Sequence, residues 1–208
     1  MKKIIFGLFV LCVVIAGYAY YTIDAEKIAS HWNNSGEVNG YMTKFWGIFL
    51  FPFVMVGIYL FYLLIPKIDP LKKNIKKFKK YYDLFVLIII AFLAYVFILS
   101  ILFNLGFMFN MTMMMMPALA LLFMFIGYFM KKLKRNWFVG IRTPWTISND
   151  KVWSKTHKLG SILYVLNGVF ILVGMFFSQY LVWFVLIPVL ISTVFLVAYS
   201  YLEYNKLK

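Results

Sequence analysis

The stretch LFVLIIIAFLAYVFILSILFNL, residues 84–105, decides the fold of this chain. It contains no charged residue, and it is longer than the ~20 apolar residues that an α-helix needs to cross the hydrocarbon core of a bilayer. In lipid, only helices and closed barrels satisfy all of their own backbone hydrogen bonds. A stretch of this length is therefore predicted to be a transmembrane helix.

Five further apolar stretches of similar length predict the rest of the architecture. They cover residues 4–21, 45–65, 112–130, 159–177 and 180–198. Hydrophobic residues make up 64% of the 208-residue chain and charged residues 13%, against about 25% charged in soluble domains. The sequence predicts an all-α polytopic membrane protein, with six transmembrane helices in a single integral membrane domain over residues 1–208. A proline in every second stretch, at Pro52, Pro117 and Pro188, favours three helical hairpins.

The charged residues predict how the chain is oriented. There are 21 Lys and Arg against 7 Asp and Glu, and every cation except Lys27 and Lys44 falls on the side of the two termini. The cytoplasmic loops of membrane proteins carry the excess of Lys and Arg. We therefore expect a multi-pass protein of the cytoplasmic membrane. Both termini and the basic loops at 66–83 and 131–158 are expected in the cytoplasm, and the loop at 22–44 is expected to be extracytoplasmic.

Several functions are disfavoured by the residues present. Cys12 is the one cysteine, so no intramolecular disulfide or cysteine metal site is expected. The six stretches contain none of the charged residues or histidines that ion-coupled transporters usually keep in their spans. We find no nucleophile with a paired base, no paired carboxylates and no phosphate loop, so we expect no enzyme activity and no cofactor. The cations flank apolar spans, which disfavours direct binding of nucleic acid.

Half of the 12 methionines cluster near the start of the fourth stretch, at Met108, Met111, Met113, Met114, Met115 and Met116. Thioethers bind soft cations such as Cu(I), but methionine also serves as flexible apolar filler. Because no Cys or His adjoins the cluster, we assign it no metal and leave its role open.

The stretch NWFVGIRTPWTISNDKVWSKTHKLG, residues 136–160, is the densest in specialised residues. Gly140 permits unusual backbone angles, and Pro144 fixes its own angle while extending Thr143. These residues predict an ordered loop. Asn149 is a suitable N-cap for a short helix that would end at Gly160.

Two interpretations of this loop and its helix are open. Lys151, Lys155 and Lys158 form a basic stripe, and a basic amphipathic helix carrying Trp153 would lie at a surface of anionic lipids. Alternatively, the loop binds an anionic or peptide ligand. The candidate partner-binding residues are Gly140, Arg142, Thr143, Pro144, Trp145, Asn149, Asp150, Trp153 and His157.

The same residues carry a resemblance to a known family. GIRTPWT at 140–146, followed by Ser148-Asn149, Val152-Trp153 and Thr156-His157, resembles the signature of the SdpI family. These are bacterial membrane proteins that give immunity to a secreted killing peptide. The segment IASHWNNSGEVNGY at 28–41 is similar to a domain of unknown function at the N-terminus of many relatives.

The resemblance implies a membrane immunity protein that protects its cell against a secreted antibacterial peptide. It also implies, as in some relatives, a sensor that sequesters a winged-helix autorepressor at the cytoplasmic loop. His31, Trp32 and Glu37 lie on the expected outer side, so they are the candidates for contact with the toxin.

Polar residues inside the spans leave a second function open. Ser100, Asn104, Asn167, Ser192 and Thr193 are expected to make hydrogen bonds between helices. In the alternative, Asn104 and Asn167 line the path of a transporter or exporter of a small amphipathic peptide or lipid.

Overall fold

A computed structural model describes residues 1–207 of the chain. In chain order its elements are α1 (Lys2–Thr22), β1 (Lys27–Trp32), β2 (Val38–Thr43), α2 (Lys44–Ile68), α3 (Lys72–Lys77), α4 (Lys79–Asn104), α5 (Met111–Met130), α6 (Pro144–Ser148), α7 (Asp150–Gly174) and α8 (Leu181–Asn205). A single 3-10 turn, Ser178–Tyr180, precedes α8. Lys208, counted above among the cations of one side, lies outside the described residues.

The chain is a multi-pass membrane protein. Six of its helices, α1, α2, α4, α5, α7 and α8, are long and apolar enough to cross a bilayer, which confirms the prediction of six transmembrane helices. Large apolar side chains are exposed on the outer faces of these helices. Leu190, Ile191 and Val194 of α8, for example, are 62%, 64% and 69% exposed. In water such faces would be unfavourable, so their solvent is lipid.

The helices pack as two groups joined by contacts between α4 and α5. In the first group α1, α2 and α4 share a core around Cys12, Ile48 and Phe97. In the second, α7 packs between α5 and α8, and its contact with α5 is the most extensive in the molecule. Small residues permit this approach, because a Cβ at Gly168 would meet the carbonyl of Ala120 on α5.

The fifth span differs from the prediction. No helix ends at Gly160, because α7 runs without a break from Asp150 to Gly174. Gly160 lies where α7 passes Met130 and Ile141, and a Cβ at this position would overlap both side chains. Its small size therefore serves helix packing, and the expectation of a separate short helix over 149–160 was wrong.

A β-hairpin interrupts the helices between α1 and α2. Strands β1 and β2 pair antiparallel, with Lys27 opposite Thr43 and Ala29 opposite Tyr41. The turn between them contains Gly36 at φ 83°, a left-handed conformation that glycine adopts at little cost. The strands were not predicted, whereas the turn residues were recognisable.

The connections divide between two sides of the bundle. The β-hairpin, the α4–α5 connection and the α7–α8 connection lie together, as their mutual hydrogen bonds show. We call this the hairpin side. The α2–α4 and α5–α7 connections form the opposite, basic side, which carries most of the lysines.

Candidate functional site

The loop between α5 and α7, residues 131–149, is built around the buried side chain of Asn136. Its amide donates to the carbonyls of Lys134 and Val139, at 2.9 Å each. Its oxygen accepts from the N–H groups of Phe138 and Val139, at 3.0 and 2.7 Å. One buried amide therefore satisfies four backbone groups, which explains why this segment is ordered without regular structure. We call residues 131–149 the signature loop.

Asp69, at the end of α2, ties the signature loop to the first helix group. Asp69 is only 1% exposed. One carboxylate oxygen accepts from the N–H of Leu71, and the other accepts from the N–H of Trp137 at 2.9 Å. Such a carboxylate is stabilised by charge-assisted hydrogen bonds to the backbone. The two connections of the basic side are thus one unit.

Gly140 and His157 fit together inside this unit. Gly140 has φ 118°, and a Cβ added to it would collide with the His157 ring. The ring accepts from the N–H of Ile141 through Nε2 at 3.0 Å, and Nδ1 lies 2.8 Å from the carbonyl of Trp153. These partners require the proton on Nδ1 and a neutral ring. His157 is 1% exposed and stacked on Trp153, so its role is to hold the loop.

The short helix α6 is fixed at its start by a capping box. The Thr143 hydroxyl accepts from the N–H of Thr146 at 3.1 Å, and the Thr146 hydroxyl accepts from the N–H of Thr143 at 2.9 Å. Pro144 occupies the first turn, where its missing N–H costs nothing. Thr143 also contacts Ser200 of α8 at 2.9 Å, and Trp145 packs on Tyr201 of the same helix. The GIRTPWT segment therefore docks on α8.

The start of α7 is fixed by the predicted N-cap. The Asn149 side chain accepts from the N–H of Lys151 at 2.8 Å and of Val152 at 3.3 Å. Asp150 forms an ion pair with Arg135 at 2.8 Å. Trp153 is 2% exposed and donates its indole N–H to the carbonyl of Leu133 at 3.1 Å.

The hypothesis of a surface helix on lipid, with Trp153 against the bilayer, was wrong. Val152, Trp153 and Thr156 are enclosed by protein and not by lipid. The lysine stripe also divides, because Lys155 pairs with Glu203 of α8 at 2.5 Å while Lys158 remains exposed.

Part of the exposed surface of the signature loop is a shallow recess. It is lined by Trp137, Arg142, Thr143, Pro144, Ile147 and Ser148. Arg142 is exposed, and one of its guanidinium nitrogens donates to the carbonyl of Trp137 at 2.7 Å. Among the predicted residues that line this recess, Arg142 and Pro144 are exposed, whereas Thr143 is buried.

On the hairpin side, three amides and a hydroxyl lock the β-hairpin to the helices and their connections. Asn104 of α4 accepts from the N–H of Ala29 at 2.8 Å and donates to its carbonyl at 3.0 Å. Asn34 donates to the carbonyls of Ser178 and Gln179, both at 2.9 Å. At the start of α5, Asn110 donates to the carbonyl of Ser35 and Thr112 donates to the carbonyl of Asn33. Within the hairpin, the Asn33 amide donates to the Glu37 carboxylate. The hairpin is a fixed cap over this side.

The three predicted residues of the hairpin occupy different environments. His31 is exposed, with Nδ1 at 2.5 Å from the Asn39 amide oxygen on β2. Glu37 is exposed and accepts from the Asn33 amide at 3.0 Å. Trp32 is half-buried with its ring edge-on to Phe103 at 5.3 Å. Its indole nitrogen is buried, and within residues 1–207 it has no hydrogen-bond partner.

A pocket of about 340 Å³ lies beneath the hairpin. Its lining is mostly apolar, with a few polar groups, which is typical of sites for small or peptidic ligands. Both strands and three helices contribute to it: Ser30, His31, Trp32, Met42, Gly47, Leu50, Phe51, Val96, Ser100, Met111, Thr112 and Met115. We call it the hairpin pocket. Two members of the methionine cluster thus line it.

The two asparagines considered for a transport path both make hydrogen bonds inside the structure, although the side-chain nitrogen of Asn167 is buried and has no partner within residues 1–207. Asn104 holds the hairpin, as described above. Asn167 of α7 accepts from the hydroxyl of Ser192 on α8 at 3.2 Å, a contact between helices of the kind the sequence favoured. Neither residue lines any of the larger cavities of the described chain.

Sequence reasoning missed the structural roles of Asp69 and Asn136. The Asp-Pro step at 69–70 is a turn signal that could have identified the first. The sequence also places Lys80 next to Asp83 and Lys206 next to Glu203 as expected ion-pair partners. In the structure Asp83 pairs instead with Lys79 at 2.6 Å, and Glu203 pairs with Lys155 as well as Lys206.

Two segments of the chain match known protein families. Residues 132–200, with most of the signature loop, match the SdpI/YfhL protein family. Residues 7–56, with the β-hairpin, match a domain of unknown function, DUF1648. The chain is 27% identical over 210 residues to the immunity protein SdpI of Bacillus subtilis (strain 168), an alignment that covers 100% of this chain and 98% of the relative. No solved structure matches it.

Proposed function

We propose that this chain is a membrane immunity protein, which protects its cell against a secreted antibacterial peptide, because residues 132–200 match the SdpI/YfhL protein family. The similarity to a relative named as an immunity protein extends over the full length of the chain. It therefore includes the hairpin as well as the signature loop, and both parts are expected to take part in the function.

The hairpin pocket is the observation that carries the proposal. An antibacterial peptide that acts on membranes is amphipathic, so it presents apolar side chains next to backbone carbonyls. The pocket offers an apolar lining for such a side chain. Trp32 belongs to that lining, and its buried indole N–H, which has no hydrogen-bond partner within residues 1–207, would become a donor for a peptide carbonyl once the ring turns towards the pocket. The hydrogen bonds that fix the hairpin reduce the ordering cost of binding.

The distribution of cations supports an outward-facing hairpin. Lys27 and Lys44, the two cations of the loop at 22–44, flank the hairpin strands, while the other side carries the lysine-rich connections. The positive-inside rule places such a basic side in the cytoplasm. The hairpin pocket would then face the side from which a secreted peptide arrives.

Survival of a sensitive host tests this function. Cells that lack their own immunity gene are given this chain and exposed to the purified antibacterial peptide that kills them. We expect a higher lethal dose with the native chain. We also expect that Ser100→Leu, which fills the hairpin pocket, abolishes the protection, while Thr193→Leu on the exposed face of α8 keeps it. Loss of protection in both variants, or in neither, at equal membrane levels contradicts the proposal.

We further propose that the recess of the signature loop captures a winged-helix repressor, so that exposure to toxin is signalled. Arg142 supports this role because it is exposed beside Trp137 in a concave surface. Asn136, Thr143 and Thr146 of the signature loop are taken up by internal hydrogen bonds, whereas the recess is open to the surroundings. Arg142→Ala should abolish co-purification of the repressor. Lys151→Ala removes an exposed charge outside the recess and should not. Retention of the repressor by Arg142→Ala would exclude the recess as its site.

A further inference from the structure

A second cavity, on the basic side, is lined by a concentration of positive charge. It measures about 630 Å³ and lies between α3, the end of α5 and the start of α7. The cations in its lining are Lys77, Lys131, Lys132, Lys134, Arg135 and Lys158. The one carboxylate, Asp150, is already paired with Arg135. We call this space the basic cavity.

The charge of the basic cavity is not neutralised by the protein. Within residues 1–207, none of its five lysines forms a salt bridge. Lys131 and Lys132 lie over the rings of Tyr128 and Tyr81, at 5.1 and 5.6 Å from the centroids. A cation–π contact leaves a lysine's charge in place, and like charges held together repel. An anion in the cavity would relieve this repulsion.

The walls of the cavity are held in position. Asn74 of α3 donates to the carbonyl of Arg135 at 2.9 Å. The Arg135 guanidinium donates to the carbonyl of Ile147 at 2.8 Å and pairs with Asp150. These bonds join α3, the signature loop and α7 around the space. The cavity is thus a preformed site and not a set of independent surface lysines.

Apolar, exposed surface begins directly beside the cavity. On α7, Lys158 is followed one turn later on the same face by Ile162, which is 54% exposed. On α5, the neighbouring exposed residues are Tyr128 and Leu121, at 46% and 64%. A ligand with its anion in the cavity could therefore lay a hydrocarbon chain along these faces. A free phosphate ion would leave this surface unused.

We propose that the basic cavity binds the phosphate of an anionic phospholipid headgroup, with the acyl chains along α5 and α7. Basic pockets between transmembrane helices take such headgroups. The lining of the basic cavity shares no residue with the hairpin pocket or with the recess at Arg142, so variants of the cavity lysines leave both of those sites intact.

Titration of the purified full chain with dioctanoyl phosphatidylglycerol in detergent tests the proposal. Dioctanoyl phosphatidylcholine and inorganic phosphate serve as the two comparison probes. The triple variant Lys131→Gln, Lys134→Gln, Lys158→Gln removes cavity charge. The control triple, Lys72→Gln, Lys73→Gln, Lys76→Gln, removes equal charge from exposed positions of α3 outside the cavity. Circular dichroism and gel filtration establish that each variant is folded.

We expect phosphatidylglycerol to bind at least tenfold more tightly than phosphatidylcholine. The triple variant of the cavity lysines should lower the affinity for phosphatidylglycerol by about a hundredfold, because each lysine contributes about fivefold. The control triple variant should lower this affinity by less than fivefold. Single variants Lys134→Gln and Lys158→Gln should each lose about fivefold if the triple does not fold. Equal losses in the two triples would indicate diffuse attraction and overturn the proposal. Inorganic phosphate binding as tightly as the lipid would overturn the lipid as the source of the anion.

Discussion

Gly140 shows how one residue sets the geometry of the signature loop. Its φ of 118° and the His157 ring beside its α-carbon leave no room for a side chain. Gly140→Ala is therefore expected to lower the free energy of unfolding by about 1–3 kcal/mol. Thermal unfolding in detergent measures the loss. The matched control is Gly57→Ala in α2, where nothing lies within 4 Å of the added Cβ; it should stabilise the chain slightly or leave it unchanged. Equal effects of the two changes would refute the strain at Gly140.

Asn104 makes a second prediction, because it pairs with both backbone groups of Ala29. In Asn104→Ala these two groups lose their partner, which costs about 1–3 kcal/mol of local stability. Hydrogen exchange should show a faster-exchanging Ala29 amide and a looser hairpin. Thr193→Ala removes a hydroxyl that bonds only within its own helix, and it should leave the hairpin unaffected. An Ala29 amide that stays equally protected without Asn104 would show that the hairpin is held by other contacts.

At the residue scale, the sequence alone predicted the backbone conformation of a residue better than it predicted the residues that its side chain contacts. The cap at Asn149 and the extended backbone of Thr143 before Pro144 follow from local backbone preferences, and both are present. For His157 the sequence left a ligand-binding role open beside a structural one, although a lone histidine is more often structural. Its burial depends on contacts with Ile141 and Trp153 that pack only in the folded chain, so the sequence could not decide between the two.

At the scale of elements, the pair α5–α7 is the most closely packed. Gly168 faces Met124 and the carbonyl of Ala120. Gly168→Leu should force the two helices apart and lower the free energy of unfolding by about 1–3 kcal/mol. Gly17→Leu on α1, with nothing within 4 Å of its Cβ, is the control and should cost much less. The midpoints of thermal unfolding of the two purified variants measure this difference. Similar midpoints would contradict close packing at Gly168.

The elements differ in how far their sequences predict them. The transmembrane helices follow from uninterrupted apolar stretches, because in lipid the backbone has no alternative. The β-hairpin does not follow, since its strands are short and are held by Asn104, Asn110 and Thr112 from distant helices. The prediction of a helix end at Gly160 was wrong for the same reason. A glycine locally favours the end of a helix, but here it allows α7 to pack closely against Met130.

At the scale of the whole molecule, the charge distribution predicts an orientation. Single cysteines placed in a Cys12→Ala background can report it. Ser35→Cys at the hairpin turn should react with a membrane-impermeant maleimide in intact cells, because Ser35 is exposed on the hairpin side. Ser148→Cys, exposed on the basic side, should react only after the cells are opened. The reverse pattern would contradict the positive-inside assignment.

Binding of the antibacterial peptide to the purified chain tests the central proposal most directly. The peptide that kills the sensitive host is titrated into the native chain, Trp32→Phe and Trp46→Phe. Trp32→Phe keeps an aromatic ring in the lining of the hairpin pocket but removes the buried indole N–H, which has no partner within residues 1–207. Trp46 is 54% exposed at the start of α2 and does not line the pocket. We expect tight binding to the native chain and to Trp46→Phe, and binding weakened by about fivefold in Trp32→Phe. Equal affinity for all three chains, or no binding to any, would contradict capture of the peptide at the hairpin pocket.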